Sequence, residues 1–121
     1  MSKSLGSYGE DVAVSYLLDQ GFEIIDRNIS VARLFEIDIL ALKPPYLVIV
    51  EVKTRSSDSF GGGVSAINYR KKAIMLRSIP WIRNRYKQYQ GYHIRFDAVI
   101  ILIKGEDNFI NYYPDCIEYN G

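Results

Sequence analysis

Cysteine is nearly absent from this chain: Cys116 is the single one in 121 residues. It cannot form an internal disulfide, and no Cys/His cluster exists that could hold zinc. Histidine is equally scarce; His93 stands alone without an evident partner and reads as structural or solvated, so no Ser/His/Asp or Cys/His catalytic set is supported. Any bound metal must therefore be held by oxygen. No run of about 18 apolar residues occurs, which argues against a membrane-spanning helix. The N-terminal segment MSKSLGSYGEDV lacks an apolar stretch followed by a cleavage site, so a cytoplasmic protein is expected. Gly61-Gly62-Gly63 is not a Walker loop. Internal repeats, low-complexity tracts and long linkers are missing as well.

What is present is the composition of a compact domain, 48% hydrophobic and 24% charged, and one domain over residues 1–121 is expected. The net charge of +1 conceals a strong segregation of signs. Residues 1–52 carry four Lys/Arg against eight Asp/Glu, residues 53–104 eleven against two, and residues 105–121 none against four. A solvated helix face or a phosphate-binding surface would each explain the basic middle third.

From Ser7 to Gln20, Val12, Val14, Tyr16, Leu17 and Leu18 recur at roughly helical spacing, and Gly21 stands where a helix ends. Phe22–Asn28, Leu34–Lys43 and Tyr46–Arg55 read as strands of a meander, the last two separated by Pro44-Pro45. Ser56–Gly63 is polar and glycine-rich and reads as a loop. A helical segment from about Ala66 reaches Ile79; Pro80 either kinks it or opens a second helix, and the pattern runs to about Tyr89. Ile94–Lys104 reads as a buried strand and Phe109–Tyr113 as an edge strand. The expected order is α-β-β-β-α-β with a C-terminal edge strand, an α/β fold on a mixed sheet.

Within Val50-Glu51-Val52-Lys53-Thr54-Arg55, alternation sends Glu51, Lys53 and Arg55 to one face. The same rule places Glu36 and Asp38 together, opposite Ile37 and Ile39. Asp38 and Glu51 are equidistant from the Pro44-Pro45 turn, so a hairpin makes them cross-strand neighbours. Two carboxylates at about 5 Å repel unless a cation lies between them. Mg²⁺ suits such a place, because it takes one or two carboxylates and fills its other positions with water and phosphate oxygens. Mn²⁺ is the alternative. Lys53, two residues on, can orient an attacking water or neutralise charge on a phosphate. An exposed ion cluster is the competing reading, worth about 0–1 kcal/mol. Charges set inside strands that otherwise read as buried weigh against it.

The set Asp38 and Glu51-Val52-Lys53 resembles the PD-(D/E)XK motif of restriction-endonuclease-like proteins. More closely, Gly6-x-x-Gly9-Glu10, Asn28, Glu36-Ile37-Asp38, Val50 to Arg55, Phe60-Gly61, Lys71 and Arg95-Phe96-Asp97 resemble the YraN-like family, related in fold to Holliday-junction resolvases. The resemblance implies a restriction-endonuclease-like core. It also implies a catalytic set of Asp38, Glu51, Lys53 and Glu10, and metal ligation by Asp38, Glu51, Val52 and Glu10. The implied activity is metal-dependent cleavage of DNA rather than RNA, with branched DNA as a substrate and a homodimer to cut two symmetric strands. Phe35 stands where that family usually has glycine, which would block close backbone approach there.

Arg55, Lys71, Lys72, Arg83 and Arg85 are the candidate nucleic-acid contacts, interleaved with Trp81, Tyr86, Tyr89 and Tyr92. Aromatics at this spacing are more often core. Glu10 could simply complement the dipole of the first helix. Arg95 and Asp97 share a strand face, which predicts an internal ion pair, and Asn28 could cap or terminate the first strand. Two further readings remain: a nucleic-acid-binding module without turnover, and a protein-interaction domain whose basic segment meets an acidic partner.

Overall fold

The computed structural model describes residues 4–56 and 69–117. Helix α1 (Leu5–Asp19) is capped by Ser4, whose hydroxyl accepts from the Ser7 N–H at 3.1 Å. It buries Gly9, Ala13 and Leu17, a stripe of every fourth residue. It stops before Gly21, whose φ of 91° lies in the left-handed region.

Strands β1 (Glu23–Val31), β2 (Phe35–Lys43) and β3 (Tyr46–Ser56) form the expected antiparallel meander. Helix α2 (Tyr69–Arg85) carries the chain to β4 (His93–Lys104), which lies parallel to β3. A parallel neighbour requires such a crossover. β5 (Asp107–Tyr113) returns antiparallel along β4 and ends the sheet, whose order is β1-β2-β3-β4-β5. The mixed α/β architecture agrees with the αβββαβ reading and its terminal edge strand.

Each sheet face has its own core. α1 covers Ile39, Ala41, Val48, Val50, Val99 and Ile101 with Ala13 and Leu17. α2 covers Leu40, Leu42, Leu47, Ile49 and Phe96 with Met75, Ile79 and Ile82. The middle strands are apolar on both sides, as a doubly covered sheet requires.

Two boundaries and one facing pattern differ from expectation. α2 runs unbroken through Pro80 and ends at Arg85; a separate 3-10 turn, Lys87–Tyr89, follows. β1 does not end at Asn28 but continues to Val31. Asn28 takes φ 53°, a left-handed conformation that asparagine tolerates better than most residues. Strict alternation also fails in β2, since Ile37 packs on the α2 side and Ile39 on the α1 side. The break falls opposite Asn28, because Arg27 pairs with Ile39 and Ile29 with Ile37. Both strands therefore change faces at the level of Asp38.

Candidate metal centre at the end of the β2–β3 ladder

The β2–β3 ladder runs from Lys43 paired with Tyr46 to Ile39 paired with Val50, and there it ends. In that register the next positions are Asp38 and Glu51, so the equidistance read from the sequence holds, but the strands part at this level. The Asp38 carboxylate spans the opening: its Oδ2 accepts from the Val52 N–H at 2.8 Å. A side chain thus replaces a backbone partner and fixes the carboxylate against β3.

Glu51 follows Leu47 and Ile49 by alternation onto the α2 side of β3, and its side chain is only 7% exposed. Lys53 lies on the same side, with Nζ 3.5 Å from Glu51 Oε1. Asp38, Glu51, Glu36 and Met75 line one small cleft of about 50 Å³. The structure therefore brings together Asp38, Glu51, Val52 and Lys53. The two carboxylates offer hard oxygen donors, with the Lys53 ammonium beside them, and the cleft has room for water. This donor set fits a small divalent cation of the Mg²⁺ or Mn²⁺ kind, which needs no more than one or two protein carboxylates.

Glu10 rises from α1, and its Oε1 lies 3.9 Å from Arg27, which also binds Asp11 at 2.8 Å. Among the described residues no group of three or more His, Cys, Asp or Glu side chains is arranged to hold a metal ion. What does approach the site from α1 is backbone: a Cβ on Gly9 would lie 1.8 Å from Thr54 Oγ1, so only glycine lets the helix lie against β3 just past Lys53.

The candidate nucleic-acid contacts divide. Arg55 is half-buried and donates to the Thr54 carbonyl at 3.0 Å. Lys72 is half-buried and Arg85 exposed on α2, the latter lying 5.3 Å from the Tyr86 ring centroid. Arg83 Nη1 donates to the carbonyls of Tyr89, Gln90 and Tyr92 at 2.8–3.3 Å, bracing the connection into β4. The Lys71 side chain and the glycine-rich loop beyond Ser56 lie outside the described residues. Of the aromatics, Trp81 packs edge-on against Phe35 and Tyr86, and Tyr89 packs against Tyr92, so these rings serve the fold. The Phe35 ring is itself 5% exposed, and its bulk is taken up in the α2 core.

Arg95 and Asp97 form the expected ion pair on the α1 side, with Nε–Oδ1 at 2.9 Å and Nη2–Oδ2 at 2.8 Å. Tyr112 also donates its hydroxyl to Asp97, and the Asp115 N–H donates to it at 2.9 Å. Burial, then the Asp97 hydrogen bond, pushes the Tyr112 hydroxyl well above its ordinary range. This cluster fastens the chain after β5, and the Cys116 N–H then bonds the Phe96 carbonyl at 2.8 Å. Burial and the Asp97 charge push the Cys116 thiol up to about 11, and Glu51 adds to the push. The C-terminal segment thus comes within electrostatic reach of the candidate site. Sequence reasoning missed that neighbour, along with Met75 and the turning role of Asn28; only asparagine's tolerance of left-handed backbone pointed to the last.

No helix among the described residues is long and apolar enough to cross a membrane. Residues 9–101 match the profile of the family described as "Uncharacterised protein family UPF0102". A UPF0102 protein of Rhodococcus jostii is 39% identical over 101 residues, 83% of each chain. One of Legionella pneumophila is 33% identical over 118 residues, 98% of each chain. Another, from Alkaliphilus oremlandii, is 37% identical over 117 residues, covering 96% of this chain and 99% of the relative.

Proposed function

This chain belongs to the UPF0102 family, the YraN-like family that its motifs resemble, and we propose that it is a metal-dependent endonuclease acting on DNA. The observation that carries the reading is the meeting of Asp38 and Glu51 where β2 and β3 part, with Lys53 at 3.5 Å from Glu51. Two carboxylates lining one cleft, one of them only 7% exposed, favour a divalent cation beside them in addition to the Lys53 ammonium.

Asp38 and Glu51 would hold Mg²⁺ or Mn²⁺. When bound, such an ion supplies Lewis-acid polarisation of a phosphodiester and lowers the pKa of a water. The Val52 N–H keeps Asp38 in one rotamer, so the ligand is oriented before any ion arrives. Lys53 is 18% exposed and can reach an incoming phosphate while remaining near Glu51. Its ammonium would orient the attacking water and neutralise charge that develops on the non-bridging oxygens. Hydrolysis then transfers a water oxygen to phosphorus, and the departing sugar oxygen leaves with a proton. The reading extends to a homodimer where two strands of branched DNA are cut symmetrically.

The test is incubation of the purified chain with branched, nicked, single-stranded and supercoiled DNA in Mg²⁺ or Mn²⁺, beside Asp38→Ala, Glu51→Ala and Lys53→Ala. Each variant should lose cleavage on the order of a hundredfold or more. Cleavage by all three variants at the wild-type rate would remove the site from consideration.

A further inference from the structure

A second cavity, of about 300 Å³, lies between the β1–β2 turn and α2 and is lined by Arg33, Leu34, Phe35, Glu36, Ile74 and Met75 among others. It shares Glu36 and Met75 with the Asp38–Glu51 cleft, so the two adjoin. Its lining is polar and apolar in nearly equal measure, and it lies between that cleft and the tip of a hairpin. Nothing in the proposed cleavage chemistry uses this cavity.

The hairpin tip is built in an unusual way. The Leu34 N–H closes the turn onto the Val31 carbonyl at 2.9 Å, and Ala32 holds φ 46°, where a residue with a Cβ is disfavoured. Strain of this kind persists when the surroundings demand it and often marks a working site. Here it presents two neighbours at the mouth of the cavity. Leu34 is 52% exposed, a large apolar side chain left in water. Arg33 is exposed beside it.

We propose that this cavity receives an unpaired nucleobase adjoining the phosphodiester held at Asp38 and Glu51, with Leu34 as the wedge that separates it from the stack and Arg33 as the contact to its backbone phosphate. The proposal rests on the nuclease reading, and it names the substrate as DNA with an unpaired base at the cleavage position. Three features converge on that ligand. The cavity is at the lower end of the size range of small-molecule sites, suited to a single planar ring system. Ile74, backed by the buried Phe35 and Met75, gives it an apolar side against which a base packs, with Glu36 available to accept from an exocyclic amine. An apolar side chain beside an arginine is the combination that proteins insert between base steps. Taking out a base that is already unpaired avoids most of the unstacking cost, so mismatched, flapped or branched DNA is favoured over intact duplex.

The experiment measures binding, not cleavage, by fluorescence anisotropy without divalent metal. Its two probes are a fully paired duplex and the same duplex carrying one unpaired 2-aminopurine. Wild type should prefer the second probe and raise its 2-aminopurine fluorescence as the base leaves the stack. Leu34→Ala and Arg33→Ala, both exposed positions that leave the core intact, should each weaken binding to that probe by about tenfold and change duplex affinity less than about twofold. Equal affinity of wild type for both probes, or equal losses on both probes in the variants, would overturn the proposal. That result leaves the metal site untouched. Wild-type cleavage by Asp38→Ala would instead sink the nuclease reading while the base-dependent binding stood.

Discussion

Glu51 on β3 and Asp97 on β4 are the two buried carboxylates among the described residues, and they occupy adjoining strands on opposite faces of one sheet. Asp97 is fully enclosed, gripped twice by Arg95 and bonded by the Tyr112 hydroxyl and the Asp115 N–H. Its acceptor capacity is spent inside the protein. Glu51 lines a cleft beside Asp38, with the Lys53 ammonium at 3.5 Å. The difference separates two uses of a buried charge. A carboxylate enclosed among donors fastens the fold, whereas one that lines a cleft next to a second carboxylate and a lysine is the place the proposed cation would occupy.

The sharpest way to break this comparison is thermodynamic. Asp97→Ala leaves the Arg95 guanidinium without its carboxylate in a half-buried place and should cost about 3–5 kcal/mol in denaturant unfolding. Glu51→Gln keeps the shape and removes one of two like charges, so stability should move by less than about 1 kcal/mol. Equal losses would assign both carboxylates to the fold. The next contrast is between acids on the two faces. Glu10→Ala should reduce DNA cleavage by no more than about tenfold, far less than Asp38→Ala, since Glu10 is held by Arg27 on the α1 side. A loss as large as that of Asp38→Ala would show that α1 delivers its carboxylate to the metal during turnover.

A smaller effect concerns the α2 side away from the site. Burial, then the hydrogen bond from its hydroxyl to Asp26 at 2.8 Å, raises Tyr86 from 10.0 to about 12. The folded chain holds this proton more tightly than the unfolded one. The contribution is therefore fully present below pH 10 and is lost as pH rises through about 12. Tyr86→Phe should flatten part of the fall in stability across that window. An unchanged alkaline limb would remove Tyr86 from the account.

Most of the architecture could be read from pattern. Apolar strands flanked by Pro44-Pro45, the helical spacing before Gly21 and the uninterrupted run Val99–Ile103 each report a local preference, and local preferences need no knowledge of neighbours. The candidate site was half legible. The equidistance of Asp38 and Glu51 from the turn set the register, and the Arg95–Asp97 pair followed from alternation along a single strand. Alternation failed at Ile37 and Ile39, because the face change made at Asn28 is shared between paired strands and has no signature within β2 alone.

Three residues in sequence, Asp38, Glu51 and Lys53, could thus be named as an acidic pair with its lysine by residue type and spacing. Which face each side chain takes, and which helix covers it, was decided only in three dimensions. The sheet has two faces, and a residue's face depends on every bulge before it. That is why Glu10 sits with Arg27 on one side while Asp38 reaches across to Val52 and opens a cleft on the other. The same dependence joins the β1–β2 turn to the site through Glu36 and Met75, residues from β2 and α2 that stand 39 apart in the chain.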